Sequence, residues 1–225
     1  MIGIIVAMKE ELDKLLKYLS NKEEINVKGI NIYKGNINNK ECVIALSGVG
    51  KVNAARTTQI IIDNYDIDKI INVGVSGSCS KDLDLGDIVI ADRLYQYDFD
   101  ITMFNHNLGY VPLVGDYIEI SDNNIRNFID KVGYNIHVGH LASADRFVSN
   151  IKDKLELNDK FKAIACDMES GAIGQVCYLS NIDFLVIRSI SDTINDNITV
   201  EFEEYLDSSS KILADILVKY LKEIE

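Results

Sequence analysis

The chain has 225 residues, of which 47% are apolar and 26% are charged, proportions typical of a soluble globular protein. Its formal net charge is −12, from 35 acidic and 23 basic side chains. This sign argues against DNA, RNA and anionic membranes as partners, because they bind surfaces rich in lysine and arginine.

Neither a membrane span nor a secretory signal is predicted. No apolar run approaches the ~18 residues that a transmembrane helix needs, and the chain begins without the basic start and cleavage site of a signal peptide. The four cysteines form no close pair along the sequence; they are Cys42, Cys79, Cys166 and Cys177. We therefore expect a cytoplasmic protein whose thiols are reduced and buried.

Hydrophobic periodicity predicts alternating strands and helices along the whole chain. In chain order, the predicted elements are strand 1–7, helix 9–19, strand 25–36, strand 41–46, helix 51–65, strand 70–73, strands 85–91 and 94–97, helix 122–132, strand 135–142, helix 150–157, strand 163–166, helix 169–179, strand 184–190 and helix 200–225. Residues 98–118 follow no period and contain Pro112, the only proline of the chain. We expect a long functional loop there.

The alternation predicts a single α/β domain over residues 1–225, with a mixed central β-sheet flanked by helices on both sides. In sheets of this kind, ligands bind at the carboxyl ends of the strands. The positions to consider for a site are therefore those that follow Ala7, Val73, Ala142, Cys166 and Ile190.

Two glycine-rich segments follow predicted strands. Gly50 and Lys51 resemble the end of a phosphate-binding loop, but Val52 occupies the position of the required Ser or Thr. Asn53 likewise occupies the third glycine position of a dinucleotide-binding motif, so this segment is interpreted as a tight turn. Residues 74–77 let the backbone approach a ligand closely, although a plain loop would have the same composition.

Three acidic residues follow predicted strands: Glu11 after the first, Glu169 at the start of a helix, and Asp192 two residues after Ile190. Singly, each is typical of a structural role, as a charge in the first turn of a helix or as a cap or turn residue. Together they predict a group of carboxylates at the ligand-binding edge. Met168 beside Glu169 adds an apolar side chain suited to a sugar face.

A metal site is not expected. His137 and His140 lie in a segment interpreted as a strand, where their spacing directs the two rings to opposite faces. Scattered cysteines and separated histidines do not give the ligand set of a zinc enzyme. We therefore expect neither a metal nor an organic cofactor.

Short motifs occur in a fixed order along nearly the whole chain. They are GIIVAMKEE at 3–11, SGVGKVNAA at 47–55, NVGVSG at 72–77, LGDIV at 85–89, SADRFV at 143–148, DME at 167–169 and RSISD at 188–192. In this order and spacing they resemble the 5′-methylthioadenosine/S-adenosylhomocysteine nucleosidases, members of the nucleoside phosphorylase superfamily.

The resemblance implies hydrolysis of the N-glycosidic bond of adenosine-type nucleosides, in methionine salvage and removal of a methyl-cycle product. The glutamate matching Glu11 would position and deprotonate water, and the aspartate matching Asp192 would protonate the purine N7. The glutamate matching Glu169 would bind the ribose hydroxyls, with Met168 beneath the ribose. Because a free aspartic acid has a pKa of about 3.9, we expect Asp192 to be buried.

The resemblance also implies the rest of the nucleoside pocket. Phe147 and Val148 would border the adenine, Gly77 would let the chain pass close to the nucleoside, and Ser191 would contact it beside Asp192. Phe202 and the loop around Phe104 and Pro112, within residues 98–118, would line the pocket for the 5′ substituent, the loop either in its own chain or across a dimer interface. The aromatic residues of this loop predict a homodimer joined there.

Three alternatives remain beside the nucleosidase. A phosphorolytic purine nucleoside phosphorylase would need arginines near the glycine turns, but none lies in the first turn or directly before Gly74. A non-catalytic nucleoside-binding protein would lack at least one of the three acids, and all three are present. A 6-amino-6-deoxyfutalosine nucleosidase differs mainly at the 5′ end, as does a preference for 5′-deoxyadenosine, and the sequence leaves this choice open.

Overall fold

The computed structural model describes residues 1–120, 125–194 and 198–224. The strands it contains are β1 Ile2–Val6, β2 Ser20–Val27, β3 Ile30–Ile37, β4 Lys40–Leu46, β5 Lys69–Ser78, β6 Ile88–Gln96, β7 Ile118–Glu119, β8 Ile136–Ser143, β9 Ala163–Asp167 and β10 Asp183–Asp192. The helices are α1 Lys9–Leu15, α2 Lys51–Asn64, α3 Ile125–Val132, α4 Ile151–Phe161, α5 Ser170–Ser180 and α6 Ile198–Glu223.

The strands form one mixed sheet, part of which closes into a ring. The strand order is β10-β6-β8-β9-β5-β1-β4-β3-β2, and β10 also pairs with β5. β5 therefore has three neighbours, with β1 and β10 parallel to it and β9 antiparallel to its last residues. Closure of the ring brings the carboxyl ends of β5, β9 and β10 together, with β1 alongside.

Helices cover both faces of the sheet. On one face, Leu12 and Leu15 of α1 pack in the same core as Phe128 of α3 and Leu217 of α6. On the other face, α2 and α5 pack in a second core that includes Ile61. Neighbouring residues of each central strand alternate between the two cores, as a sheet buried on both faces requires. The predicted α/β fold with a mixed sheet between helices is confirmed.

The structure corrects two of the predicted elements. The predicted strand 25–36 is a hairpin of β2 and β3, because Lys28 and Gly29 have positive φ angles of 52° and 84° and reverse the chain. The predicted strand 70–73 is too short, because the small residues after Val73 continue β5 as far as Ser78. Pairing with β10 and β9 on either side holds this stretch in a strand despite its low β-propensity.

Most other elements match their predictions within a few residues. The two predicted strands at 85–91 and 94–97 are one strand, β6, with an irregularity between Ala91 and Arg93. Residues 122–124 and 225, predicted to belong to helices, lie outside the described residues. Of the helices in the described part of the chain, none combines the length and hydrophobicity that crossing a bilayer requires.

Candidate active site

A cleft of about 600 Å³, measured with its open mouth, lies where β1, β5, β9 and β10 come together. Five charged side chains line it: Glu11, Asp167, Glu169, Arg188 and Asp192. The remaining lining is apolar or small: Ala7, Met8, Val49, Gly74, Val75, Ser76, Gly77, Phe147, Cys166, Met168, Ser191 and Phe202. A mostly apolar cleft with a few fixed polar groups is the usual form of a small-molecule site.

Glu11 is held at the start of α1 by three backbone N–H groups. Its Oε2 accepts hydrogen bonds from Ala7 and Met8, and its Oε1 accepts one from Val75, each at 3.0 Å. Burial raises the pKa of Glu11, while these hydrogen bonds and the nearby Arg188 act in the opposite direction. A fixed carboxylate whose pKa is raised is suited to act as a general base near neutral pH.

Glu169 is buried at the N-terminal end of α5. Its Oε1 accepts a hydrogen bond of 2.9 Å from the Gly50 N–H, which belongs to the turn before α2. Burial raises the pKa of Glu169 to about 7, and the neighbouring Asp167 carboxylate adds to this rise. The residue therefore changes its charge close to physiological pH.

Arg188 is buried below the cleft, and several of its donors are occupied by the protein. Its Nε donates to Asp167 Oδ2 at 2.9 Å, and its Nη2 donates to both Asp167 and Asn72. Asp167 also accepts hydrogen bonds from the Ser143 hydroxyl and the Ser170 N–H. The network fixes one permanent positive charge among the acids of the cleft.

Asp192 ends β10 and is 2% exposed, so its predicted burial is confirmed. Its Oδ2 forms an ion pair with Lys154 of α4, and its Oδ1 is 3.1 Å from the Ser191 hydroxyl, which donates to it. Burial raises the pKa of Asp192, whereas Lys154 and Ser191 act in the opposite direction.

Comparison with known proteins places the chain in a family. The model of the phosphorylase superfamily matches residues 1–222. A 5′-methylthioadenosine/S-adenosylhomocysteine nucleosidase from Staphylococcus haemolyticus is 35% identical, with 99% of each chain covered. The chain belongs to this nucleosidase family of the phosphorylase superfamily. The predicted class of enzyme, an N-glycosyl hydrolase, is thereby confirmed.

Two solved structures resemble this chain over nearly its whole length. A protein from Borrelia burgdorferi bound to adenine is 36% identical, with a TM-score of 0.94 and 100% of both chains covered. A futalosine hydrolase from Helicobacter pylori is 33% identical, with a TM-score of 0.94 and coverage of 99% of this chain and 97% of that one.

Most of the substrate-binding residues predicted by the nucleosidase resemblance lie at the cleft. Gly77, Met168 and Ser191 line it directly. At its mouth, Phe147 and Phe202 meet edge to face with ring centres 5.3 Å apart. The structure therefore brings together residues from both ends of the chain.

Val148 and the loop 98–118 do not line this cleft. Val148 is 5% exposed and borders two smaller cavities next to it. The loop leaves Phe104 and Pro112 exposed at the surface, away from the cleft of their own chain. Within one chain the loop packs beside β6 and not over the cleft, so its predicted contact with the 5′ pocket of a neighbouring subunit stays a prediction.

Sequence reasoning missed the two ion pairs of the site, Arg188 with Asp167 and Lys154 with Asp192. Arg188 and Asp167 lie within motifs of the nucleosidase family, but no pattern in the chain indicated that they pair with each other. Lys154 lies in a helix that looks amphipathic and exposed, where a lysine is normally solvated. Only the packing of α4 against β9 and β8 shows that its side chain points inward.

The histidines lie apart from the cleft. His140 contacts Asp92 at 2.7 Å, and His137 lies 3.3 Å from Asp87. Within the described residues, no group of three or more His, Cys, Asp and Glu side chains is arranged to hold a metal ion.

Proposed function

We propose that this chain hydrolyses the N-glycosidic bond of 5′-methylthioadenosine and S-adenosylhomocysteine, releasing adenine and the 5-substituted ribose. The observation that carries the proposal is the cleft itself, in which Glu11, Glu169 and Asp192 are buried around one mostly apolar space. The adenine bound by the Borrelia burgdorferi relative supports a purine ligand.

Two of the acids are separated along β5 in a way that suits opposite sides of one bond. A β-carbon added to Gly74 would lie 3.0 Å from Glu11 Oε1, and a β-carbon added to Gly77 would lie 2.8 Å from Asp192 Oδ2. Three residues of a strand span about 10 Å. The two carboxyl groups therefore border different ends of the cleft, with room for a ribose and a water molecule.

The proposed reaction uses the two carboxyl groups in opposite protonation states. Glu11, as carboxylate, takes a proton from water while the water oxygen bonds to the ribose C1′. As the C1′–N9 bond breaks, its electron pair goes to the purine, and Asp192 gives its proton to N7. Proton return through solvent restores both groups.

Glu169 and Met168 are the proposed ribose contacts. A Glu169 carboxylate can accept hydrogen bonds from two neighbouring hydroxyl groups, while the Gly50 N–H fixes its orientation. Met168 supplies an apolar surface beside it. Phe147 and Phe202 at the mouth are suited to contact the flat purine and the 5′ substituent.

The charges of the cleft favour water over phosphate as the nucleophile. Four acids face one arginine there, and Arg188 already binds Asp167 and Asn72. A phosphate dianion entering beside Glu11 would be repelled, whereas a water molecule would be activated. We therefore favour hydrolysis over the phosphorolytic alternative.

The products of the reaction test this choice. We expect the reaction to yield adenine and free 5-methylthioribose, at the same rate with and without added phosphate. The change in ultraviolet absorbance on adenine release measures this rate. Formation of a ribose 1-phosphate would contradict hydrolysis, and failure to release adenine would favour a non-catalytic nucleoside-binding protein.

The Asp192→Asn variant should lose most of the activity, because the amide cannot donate an acidic proton.

The 5′ substituent is the second choice to be tested. The futalosine hydrolase from Helicobacter pylori shares the fold of this chain, which supports a 6-amino-6-deoxyfutalosine activity as an alternative. Comparison of kcat/KM for methylthioadenosine, adenosylhomocysteine, 5′-deoxyadenosine and 6-amino-6-deoxyfutalosine tests it. We expect the first two to be preferred, in keeping with a role in methionine salvage and the methyl cycle.

A homodimer is part of the proposal. Met103, Phe104 and Leu113 are 83%, 67% and 84% exposed in the loop 98–118, and Val52 is 76% exposed at the start of α2. The Lys51–Asp98 ion pair of 2.6 Å joins the start of α2 to this loop. Exposed apolar side chains gathered in this way are typical of a protein interface.

A further inference from the structure

A lysine is completely buried against the proposed general acid. Lys154 of α4 is 0% exposed, and its Nζ forms an ion pair with Asp192 Oδ2. The same Nζ donates a hydrogen bond of 3.1 Å to the Thr193 carbonyl. A lysine is rarely buried in full, and an ammonium group that is buried needs partners of this kind.

The contact lies at the wall of the cleft. The Lys154 Nζ is 3.2 Å from the point where a side chain on Gly77 would begin, and Asp192 Oδ2 is 2.8 Å from that point. Gly77 therefore leaves the space in which the ion pair forms. Among the described residues, the other titratable groups that face this pair are Cys79 directly after β5, Cys166 of β9, Glu201 of α6 and Arg146, which pairs with Asp153.

We propose that Lys154 is a positioning residue for the general acid: its ammonium holds Asp192 Oδ2, leaves Oδ1 for the purine, and stabilises the carboxylate that remains once the proton has left. This inference rests on the proposed function, because it assigns the acid of that reaction. Lys154 itself forms and breaks no bond to the substrate.

Ser191 can follow the change in charge of Oδ1. Its single hydroxyl proton lies within reach of two acceptors, Asp192 Oδ1 at 3.1 Å and the Ser76 carbonyl at 3.3 Å. When Asp192 carries a proton on Oδ1, the hydroxyl can donate to Ser76. After proton transfer, it can turn to the Asp192 carboxylate. Lys154 keeps the other oxygen occupied in both states.

The charge of Lys154 should set the upper pH limit of the reaction. An ammonium beside a carboxyl group favours its ionised form, so Lys154 opposes the rise in the pKa of Asp192 that burial causes. Removing the charge would raise this pKa further. Because the reaction needs Asp192 with its proton, activity would then persist to higher pH, although the poorly oriented acid would work more slowly.

The test compares pH profiles of Lys154 variants with methylthioadenosine as substrate. For Lys154→Met, we expect the alkaline limb of the kcat profile to move up by about one pH unit or more. We also expect kcat at pH 7 to fall by about tenfold, with a much smaller change in KM. Lys154→Arg, which keeps the charge, should retain the limb near its wild-type position. Lys160→Met, on an exposed part of the same helix, should change neither quantity.

A structural role alone would lower activity without moving the alkaline limb. A limb in the wild-type position for both Lys154→Met and Lys154→Gln therefore overturns the inference, and so does a shift to lower pH. If circular dichroism shows that the Met variant is unfolded, the Gln variant carries the same test. Wild-type protein that releases no adenine contradicts the proposed function instead, so the two failures are distinguishable.

Discussion

The three acids of the cleft share burial but differ in the groups that touch them. Glu11 accepts three backbone hydrogen bonds, Asp192 contacts an ammonium, and Glu169 has one backbone donor beside another carboxylate. Burial raises the pKa of each, but the neighbours decide which group is best suited to hold a proton and which to accept one. One kind of side chain can thereby supply a base, an acid and a hydroxyl ligand.

Glu11→Gln should abolish the base while preserving the shape of the site. Glutamine cannot take a proton from water, so we expect kcat to fall by about 10²–10⁴-fold. KM should change little, because the side chain is proposed to contact water and not the nucleoside. Steady-state kinetics measures both constants, and circular dichroism confirms the fold. Near-normal turnover would exclude Glu11 as the base.

Glu169 should make substrate binding depend on pH. Its raised pKa of about 7 means that the carboxylate is present above this pH and lost as the pH falls through it. Protonation removes an acceptor for the ribose hydroxyls, so we expect KM to rise below pH 7. In Glu169→Gln, KM should be high and nearly independent of pH. KM is measured with methylthioadenosine from pH 5.5 to 8.5, a range that extends roughly 1.5 units to each side of this pKa. A wild-type dependence in the Gln variant would place the titrating group elsewhere.

At the scale of elements, strand β5 organises the site because it contacts three other strands and two of the acids. Gly74 passes beside Glu11 and Arg188, and Gly77 passes beside Asp192 and Lys154. A side chain at either position would displace these charged side chains. The stretch from 74 to 78 therefore combines the pairing of a strand with the close approach of a binding loop.

Gly77→Ala should damage the reaction more than the fold. The added carbon would lie 2.8 Å from Asp192 Oδ2 and 3.2 Å from Lys154 Nζ, so we expect kcat to fall by about tenfold as the acid moves. Gly139→Ala is the matched control. Gly139 lies on β8, away from the cleft, and its added carbon would lie 2.6 Å from the apolar Ile164 side chain. That variant should lower the melting temperature while kcat stays within twofold of wild type, or roughly 0.4 kcal/mol. The opposite pattern would contradict the assignment.

The same element shows what could and could not be predicted from the sequence. Glu11, Glu169 and Asp192 could be found because they follow apolar strands and lie in ordered motifs. The extent of β5 could not, because Gly74, Ser76 and Gly77 have low β-propensity and only pairing with strands distant in sequence holds them extended. Lys154 was missed for a similar reason, since burial of a helical lysine depends on which face tertiary packing covers.

At the scale of the whole molecule, closure of the ring places residues from both ends of the chain around one cleft. Glu11 precedes Asp192 by most of the chain, yet Val75 of β5 donates a hydrogen bond to Glu11, and β10, which ends at Asp192, pairs with β5. A closed ring could not be inferred from local periodicity, which gives the order of the strands along the chain but not their pairing. The mixed sheet could be predicted; its closure through β5 and β10 could not.

The homodimer can be tested at the loop 98–118. Phe104→Glu and Leu113→Glu place a charge where an apolar contact is proposed, so we expect each to raise the dimer dissociation constant by about 30-fold or more. Light scattering over a range of concentrations measures this change. Leu155→Glu, at a 40% exposed position of α4, is the control and should leave the assembly unchanged. Wild-type protein that is monomeric at micromolar concentration would contradict the proposed dimer.

The sheet order has a consequence for how the protein avoids aggregation. Strands inside a closed ring offer no free edge, so among the described strands the long unpaired edge is that of β2, at the end of the order. An exposed edge strand is a template for pairing with another chain. Here it carries Lys22, Glu23 and Glu24 in an exposed run. These charged side chains disfavour pairing with a strand of another chain. The edge that is open to edge-to-edge association is therefore also the one that charges protect.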